Sequence, residues 1–181
     1  MKSSITNFVT VVCTVLLALS CSNDESLQKY FVNNSENANF ISLTIPSTVL
    51  NINQENLTPE QKEAYESVQK LNILAFKLKD DNRTEYEAEK GKISSILKND
   101  KYQELMRLNS GKHKGVVKYL GDDTAIDEII IYGNDNENGF ALIRVLGNNM
   151  KPEKMMQLMK VVNANNIDGK GLNELKQFFK K

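Results

Sequence analysis

Ile126-Asp127-Glu128-Ile129-Ile130-Ile131-Tyr132, followed after a short polar break by Phe140-Ala141-Leu142-Ile143-Arg144-Val145-Leu146, decides how this chain folds. Three consecutive isoleucines place apolar side chains on both faces of an extended segment, as in a central strand. Asn138-Gly139 sits where the two runs meet, and both residues suit the left-handed backbone angles of a hairpin tip. Val116 to Leu120 reads as a third strand just upstream. No helical pattern separates the three, so an antiparallel meander is expected.

Upstream, Phe40-Ile41-Ser42-Leu43-Thr44-Ile45 reads as a strand stopped by Pro46. Thr58-Pro59-Glu60-Gln61 carries helix-start signals: a capping hydroxyl, proline at the first turn and a capping-box glutamine. Leu71 to Leu78 is the next strand, with Ile73, Ala75 and the stem of Lys77 on one face. Thr84 to Glu87 reads as a second capping box ahead of Tyr86, Ile93, Ile96 and Leu97. Tyr102, Leu105 and Met106 have the spacing of a short helix, and Ser110 to Gly115 that of a loop. Downstream, Lys151-Pro152-Glu153 opens a helix burying Met155, Met156, Leu158, Met159 and Val162. A last helix is expected around Leu172, Leu175, Phe178 and Phe179. The order predicts an α+β fold: an antiparallel or mixed four- to five-stranded sheet packed against helices on one side, a two-layer sandwich.

The N-terminus carries a different message. Lys2 precedes an apolar core from Phe8 to Leu19, about 18 Å long as a helix and too short for a bilayer of roughly 30 Å. A cleaved export signal is expected. Ala18-Leu19-Ser20-Cys21 resembles a bacterial lipobox, in which the cysteine is acylated (palmitate among the chains) and becomes the first mature residue. Ser22-Asn23-Asp24-Glu25 resembles the surface-export signal of Bacteroidota lipoproteins and equally suits a solvated tether. The expected division is residues 1–20 as signal peptide, 21–38 as lipidated tether and 39–181 as one domain. Within the tether, Leu27, Tyr30, Phe31 and Val32 suggest a short docking helix.

Removal of residues 1–20 from a chain of 181 leaves 161, enough for a proper core. Loss of Lys2 leaves 22 basic against 23 acidic side chains. This balance gives no basic excess for nucleic acid or for an anionic membrane surface. Cys13 and Cys21 are the two cysteines, so the mature domain has none for a disulfide, a thiolate metal site or a nucleophile.

In order, the lipobox with Cys21, Phe40 to Leu43, Leu71 to Leu74, Tyr102-Gln103-Glu104-Leu105-Met106, Asp127 to Ile131 and Leu146-Gly147 resemble a bacterial lipoprotein family, Domain of Unknown Function 4252. The likeness spans most of residues 28 to 165. It implies a small envelope lipoprotein domain of Bacteroidota type with no assigned activity, and offers no catalytic residue to carry over. It also leaves room for a regulatory, envelope-stress-associated role through protein contacts.

Chemistry-bearing clusters are sparse. Asn134 to Gly139 imitates the start of a calcium loop, but the twelfth position is Val145 rather than Glu, so a hairpin turn is the better reading. Asp122, Asp123, Asp127 and Glu128 are four carboxylates in seven residues, which could hold a cation or act as an acid/base pair; a solvated loop explains them more simply. Asp123-Thr124-Ala125 resembles the O-glycosylation acceptor pattern of Bacteroidota envelope proteins, with Thr124 the acceptor. His113 is the one histidine, read as a solvent-facing turn residue. The methionines from Met150 to Met159 read as core. No catalytic residue, metal or cofactor is expected. The functional expectation is a non-enzymatic binding module, lipid-anchored through Cys21 at the outer membrane, with an envelope protein as partner.

Overall fold

The computed structural model describes residues 25–50, 52, 54–111, 113–122 and 124–164. Cys21, Asp123 and the expected helix around Leu172 to Phe179 lie outside the described residues. Six strands form one antiparallel sheet: β1 (Phe40–Pro46), β2 (Val68–Lys77), β3 (Gln103–Ser110), β4 (His113–Asp122), β5 (Ala125–Asp135) and β6 (Gly139–Met150). Their order is β1-β2-β6-β5-β4-β3. Among the described residues the α-helices are α1 (Leu27–Asn34), α2 (Pro59–Ser67), α3 (Arg83–Leu97) and α4 (Pro152–Ala164). The α+β class holds, with six strands rather than four or five.

The two-layer expectation is corrected as well, because helices cover both faces of the sheet. On the first face, α1 contributes Leu27, Tyr30 and Phe31 to a cluster with Tyr86, Ile93 and Leu97 of α3. Beneath them, Phe40, Phe76 and Phe140 stand opposite one another on β1, β2 and β6. Phe76 and Phe140 stack at 5.4 Å, and Phe40 meets Phe76 edge-on at 5.1 Å, the geometries the ring quadrupole favours. On the second face, α2 and α4 pack Ala64, Met155 and Leu158 over Ile129, Val117 and Val145. The central strands are therefore apolar on both sides, as Ile129-Ile130-Ile131 requires.

Local signals explain most element boundaries. Thr58 accepts a hydrogen bond from the Gln61 N–H at 3.3 Å, and the Gln61 side chain accepts from the Thr58 N–H at 2.9 Å, closing the capping box of α2. The box expected at Thr84 does not form. Asn82 is the N-cap of α3, and its side chain is spent on Lys79 N–H and Lys77 C=O. Residues 27–34, expected within a tether, are a helix with Leu27 and Tyr30 fully buried, so the folded unit begins ahead of residue 39.

The expected helix at Tyr102, Leu105 and Met106 is instead the start of β3, and the expected loop at Ser110 to Gly115 is the β3–β4 hairpin. A bulge between Glu104 and Met106 is the reason: it leaves Leu105 without a partner on β4 and puts both Leu105 and Met106 against the same cluster. Leu105 and Met106 thus share one side of an extended chain, while Tyr102, just ahead of β3, packs into the first-face cluster.

Candidate functional site: a basic cleft beside helix α3

Helix α3 lies over β2, β6 and β5 but stops short of the outer strands. Val116 and Leu120 of β4 are only partly buried against it, and β3 is mostly exposed. The overhang leaves an open cleft of about 800 Å³ between α3 and the outer strands.

Helical spacing sets one wall. Glu87, Lys90, Gly91, Ser94 and Lys98 follow one side of α3 and its C-cap. Strand alternation sets the floor: Lys114, Val116 and Lys118 share a face of β4, and Arg107 of β3 stands opposite Val116. Gly91 and Ser94 keep the wall low, and a Cβ at Gly91 would meet no atom within 4 Å.

Five cations and a single carboxylate, Glu87, line this space. Three of the cations are partly committed. Lys118 donates to the Leu97 and Tyr102 carbonyls at 2.6 and 2.9 Å, closing the end of α3. Lys90 pairs with Glu87 at 2.9 Å and lies over the Tyr86 ring. Arg107 pairs with Glu104 of its own strand. Lys98 and Lys114 meet no carboxylate among the described residues. Tyr132 also lines the cleft; it is 8% exposed, and its buried hydroxyl lies by the Asn134 side chain without a well-formed hydrogen bond among the described residues. Positive charge above a partly apolar floor concentrates anions.

Sequence-predicted residues fall elsewhere. Thr124 is exposed in the β4–β5 turn, where its hydroxyl and N–H both donate to Asp122 Oδ1, at 3.0 and 3.1 Å. The described carboxylates of that region, Asp122, Asp127 and Glu128, are not assembled. A bulge leaves Asp127 unpaired and exposed, with Ile126 in the second-face core and Glu128 turned beneath α1. Glu128 accepts two hydrogen bonds from Arg144, which also donates to Gln28 and lies 5.3 Å from the Phe31 ring centre. Asn134 to Gly139 forms the β5–β6 hairpin. There the Asp135 carboxyl accepts from the Glu137 N–H and is held below the usual range, chiefly by that bond. His113 opens β4, exposed, with Nδ1 3.1 Å from Asp135. Met150 and Met155 are buried in the core.

The cleft itself escaped the sequence reading. Its lysines and arginine are spread from residue 90 to 118 in a chain of zero formal net charge. The signal within reach was the α3 stripe of small and basic residues, Lys90, Gly91, Ser94 and Lys98.

The family described as Domain of unknown function (DUF4252) matches residues 30–158. This chain belongs to that family. The DUF4252 match takes in all six strands and every residue of the cleft. No curated protein and no solved structure matches the chain.

Proposed function

We propose that this DUF4252 protein is a non-enzymatic binding module of the cell envelope, anchored by lipid on Cys21 at the outer membrane, and that it takes an anionic partner in the cleft beside α3. The observation that carries the binding role is the lining of that cleft, where Lys98 and Lys114 meet no carboxylate among the described residues. The apolar segment ending at Ala18-Leu19-Ser20-Cys21 supports the anchor. The partner is an envelope protein presenting carboxylates, since an open cleft with scattered cations suits an acidic protein surface.

The test is site-specific photo-cross-linking in intact cells from Ser94 and Leu108, which flank the cleft. A discrete adduct lost in Lys98→Glu/Lys114→Glu is the expected result. An adduct indifferent to charge reversal overturns the cleft as the binding site. Release of Cys21→Ala from membranes is expected; retention overturns the anchor. A substrate-dependent reaction by the purified protein would overturn the non-enzymatic reading.

A further inference from the structure

A second recess, about 340 Å³, lies on the other side of the C-terminal end of α3, lined by Lys92, Lys98, Lys101 and Glu25. We propose that this lysine surface seats on the anionic phosphate headgroups of the leaflet holding Cys21, so that the domain keeps one fixed face toward the membrane. The inference rests on the lipid anchor of the preceding section and adds an orientation to it.

The first argument is reach. Three residues, and so four Cα-to-Cα steps, separate Cys21 from Glu25, a span of no more than about 14 Å. Glu25 itself lines the recess. An acyl chain on Cys21 therefore delivers these lysines to within one or two screening lengths of the headgroups, a length being roughly 8–10 Å.

The second argument is rigidity. Leu27 and Tyr30 of α1 are fully buried, so the point where the chain leaves the domain is fixed. Tyr30 donates to the Glu89 carboxylate at 2.8 Å, and Lys92 of the recess binds the other oxygen of Glu89 at 2.7 Å. The base of the anchor and the lysine surface are thus joined through one carboxylate.

The third argument is charge. Lys92 is paired with the buried Glu89, which leaves the Lys98 and Lys101 ammonium groups beside the Glu25 carboxylate on this surface. Lys98 meets no carboxylate among the described residues, and Lys101 extends over the Tyr102 ring at 5.0 Å. A lysine near an anionic bilayer is worth about fivefold in partitioning. Lys98 lines both recesses, so seating this face also brings the mouth of the larger cleft beside the bilayer.

The experiment uses the lipidated full chain reconstituted in vesicles of phosphatidylcholine alone or with phosphatidylglycerol. A membrane-impermeant amine reagent labels exposed lysines, read by mass spectrometry. Labelling of Lys92, Lys98 and Lys101 is expected to fall at least about threefold in the anionic vesicles, and to recover at about 0.5 M salt. Lys62 and Lys70, exposed on α2 and β2, are expected to label equally in both. Equal labelling of all five lysines on vesicle-bound protein overturns the orientation and leaves the anchor standing. Failure to attach to neutral vesicles overturns the anchor, and the orientation with it.

Discussion

Arg144 grips Glu128 through two parallel hydrogen bonds, Nε to Oε1 at 2.6 Å and Nη2 to Oε2 at 2.8 Å, with side chains only 6% and 7% exposed. The pair joins β6 to β5 beneath α1, where Gln28 and Phe31 complete the guanidinium's surroundings. Removing one partner strands the other charge in a dry site. Arg144→Met and Glu128→Leu are each expected to cost about 3–5 kcal/mol, and the double variant far less, because an apolar pair leaves no buried charge. Urea denaturation of the three variants checks this; additive losses would contradict it.

Two buried tyrosines are expected to respond unequally to loss of their hydroxyls. Tyr30→Phe removes the bond to Glu89 and costs about 1.5–3 kcal/mol. Tyr132→Phe removes a hydroxyl that makes only a loose contact with the Asn134 side chain, and changes stability by less than about 1 kcal/mol. Thermal unfolding of both variants reads the contrast directly.

Alkaline pH is expected to weaken the fold. Burial raises the phenols of Tyr30 and Tyr132 well above the usual range and pushes Tyr86 up to about 12. A tyrosine in the unfolded chain ionises near pH 10. Above that pH the folded state holds more protons than the unfolded one, so stability falls as pH rises. The contribution of Tyr86 is complete below about pH 10 and is lost between about 10 and 12. Denaturation midpoints across this window, with tyrosinate absorbance of the folded protein, test the sign.

Glycines at two places are expected to differ in sign on conversion to alanine. Gly91 lies within α3 with open space around it, so Gly91→Ala raises stability by about 1 kcal/mol. Gly139 has φ of 127°, and a Cβ there would fall 2.0 Å from the Phe76 carbonyl oxygen. Gly139→Ala is expected to lose about 3 kcal/mol or more. Chemical denaturation of both variants decides the point.

The meander was legible because apolar runs at Ile129 and Leu142 flank an Asn-Gly turn, a local signal that tertiary context did not override. The errors trace to bulges. At Leu105 an extra residue put two successive apolar side chains on one side of a strand, which breaks its alternation; at Asp127 another separated neighbouring carboxylates, so Glu128 read as part of a surface cluster and not as half of a core ion pair. The second helical layer was implied by Ile129-Ile130-Ile131, which needs cover on both sides, though the helix count alone did not say how the helices divide. The basic cleft was illegible for another reason: its charges are collected by topology, with β3 and β4 folding back toward a helix that precedes them.

The position of β6 governs how the molecule can be made. It is the last of the described strands in sequence and the third in the sheet, between β2 and β5. Before residues 139–150 are present, the chain holds a two-stranded piece and a three-stranded piece, each with a bare edge where β6 belongs. Ribosomes, and any pore threading this chain N-terminus first, release that strand late. The two pieces therefore join into one sheet only when β6 is available to pair with both. A product truncated before residue 139 would never join them, and would offer proteases and its own copies two open edges.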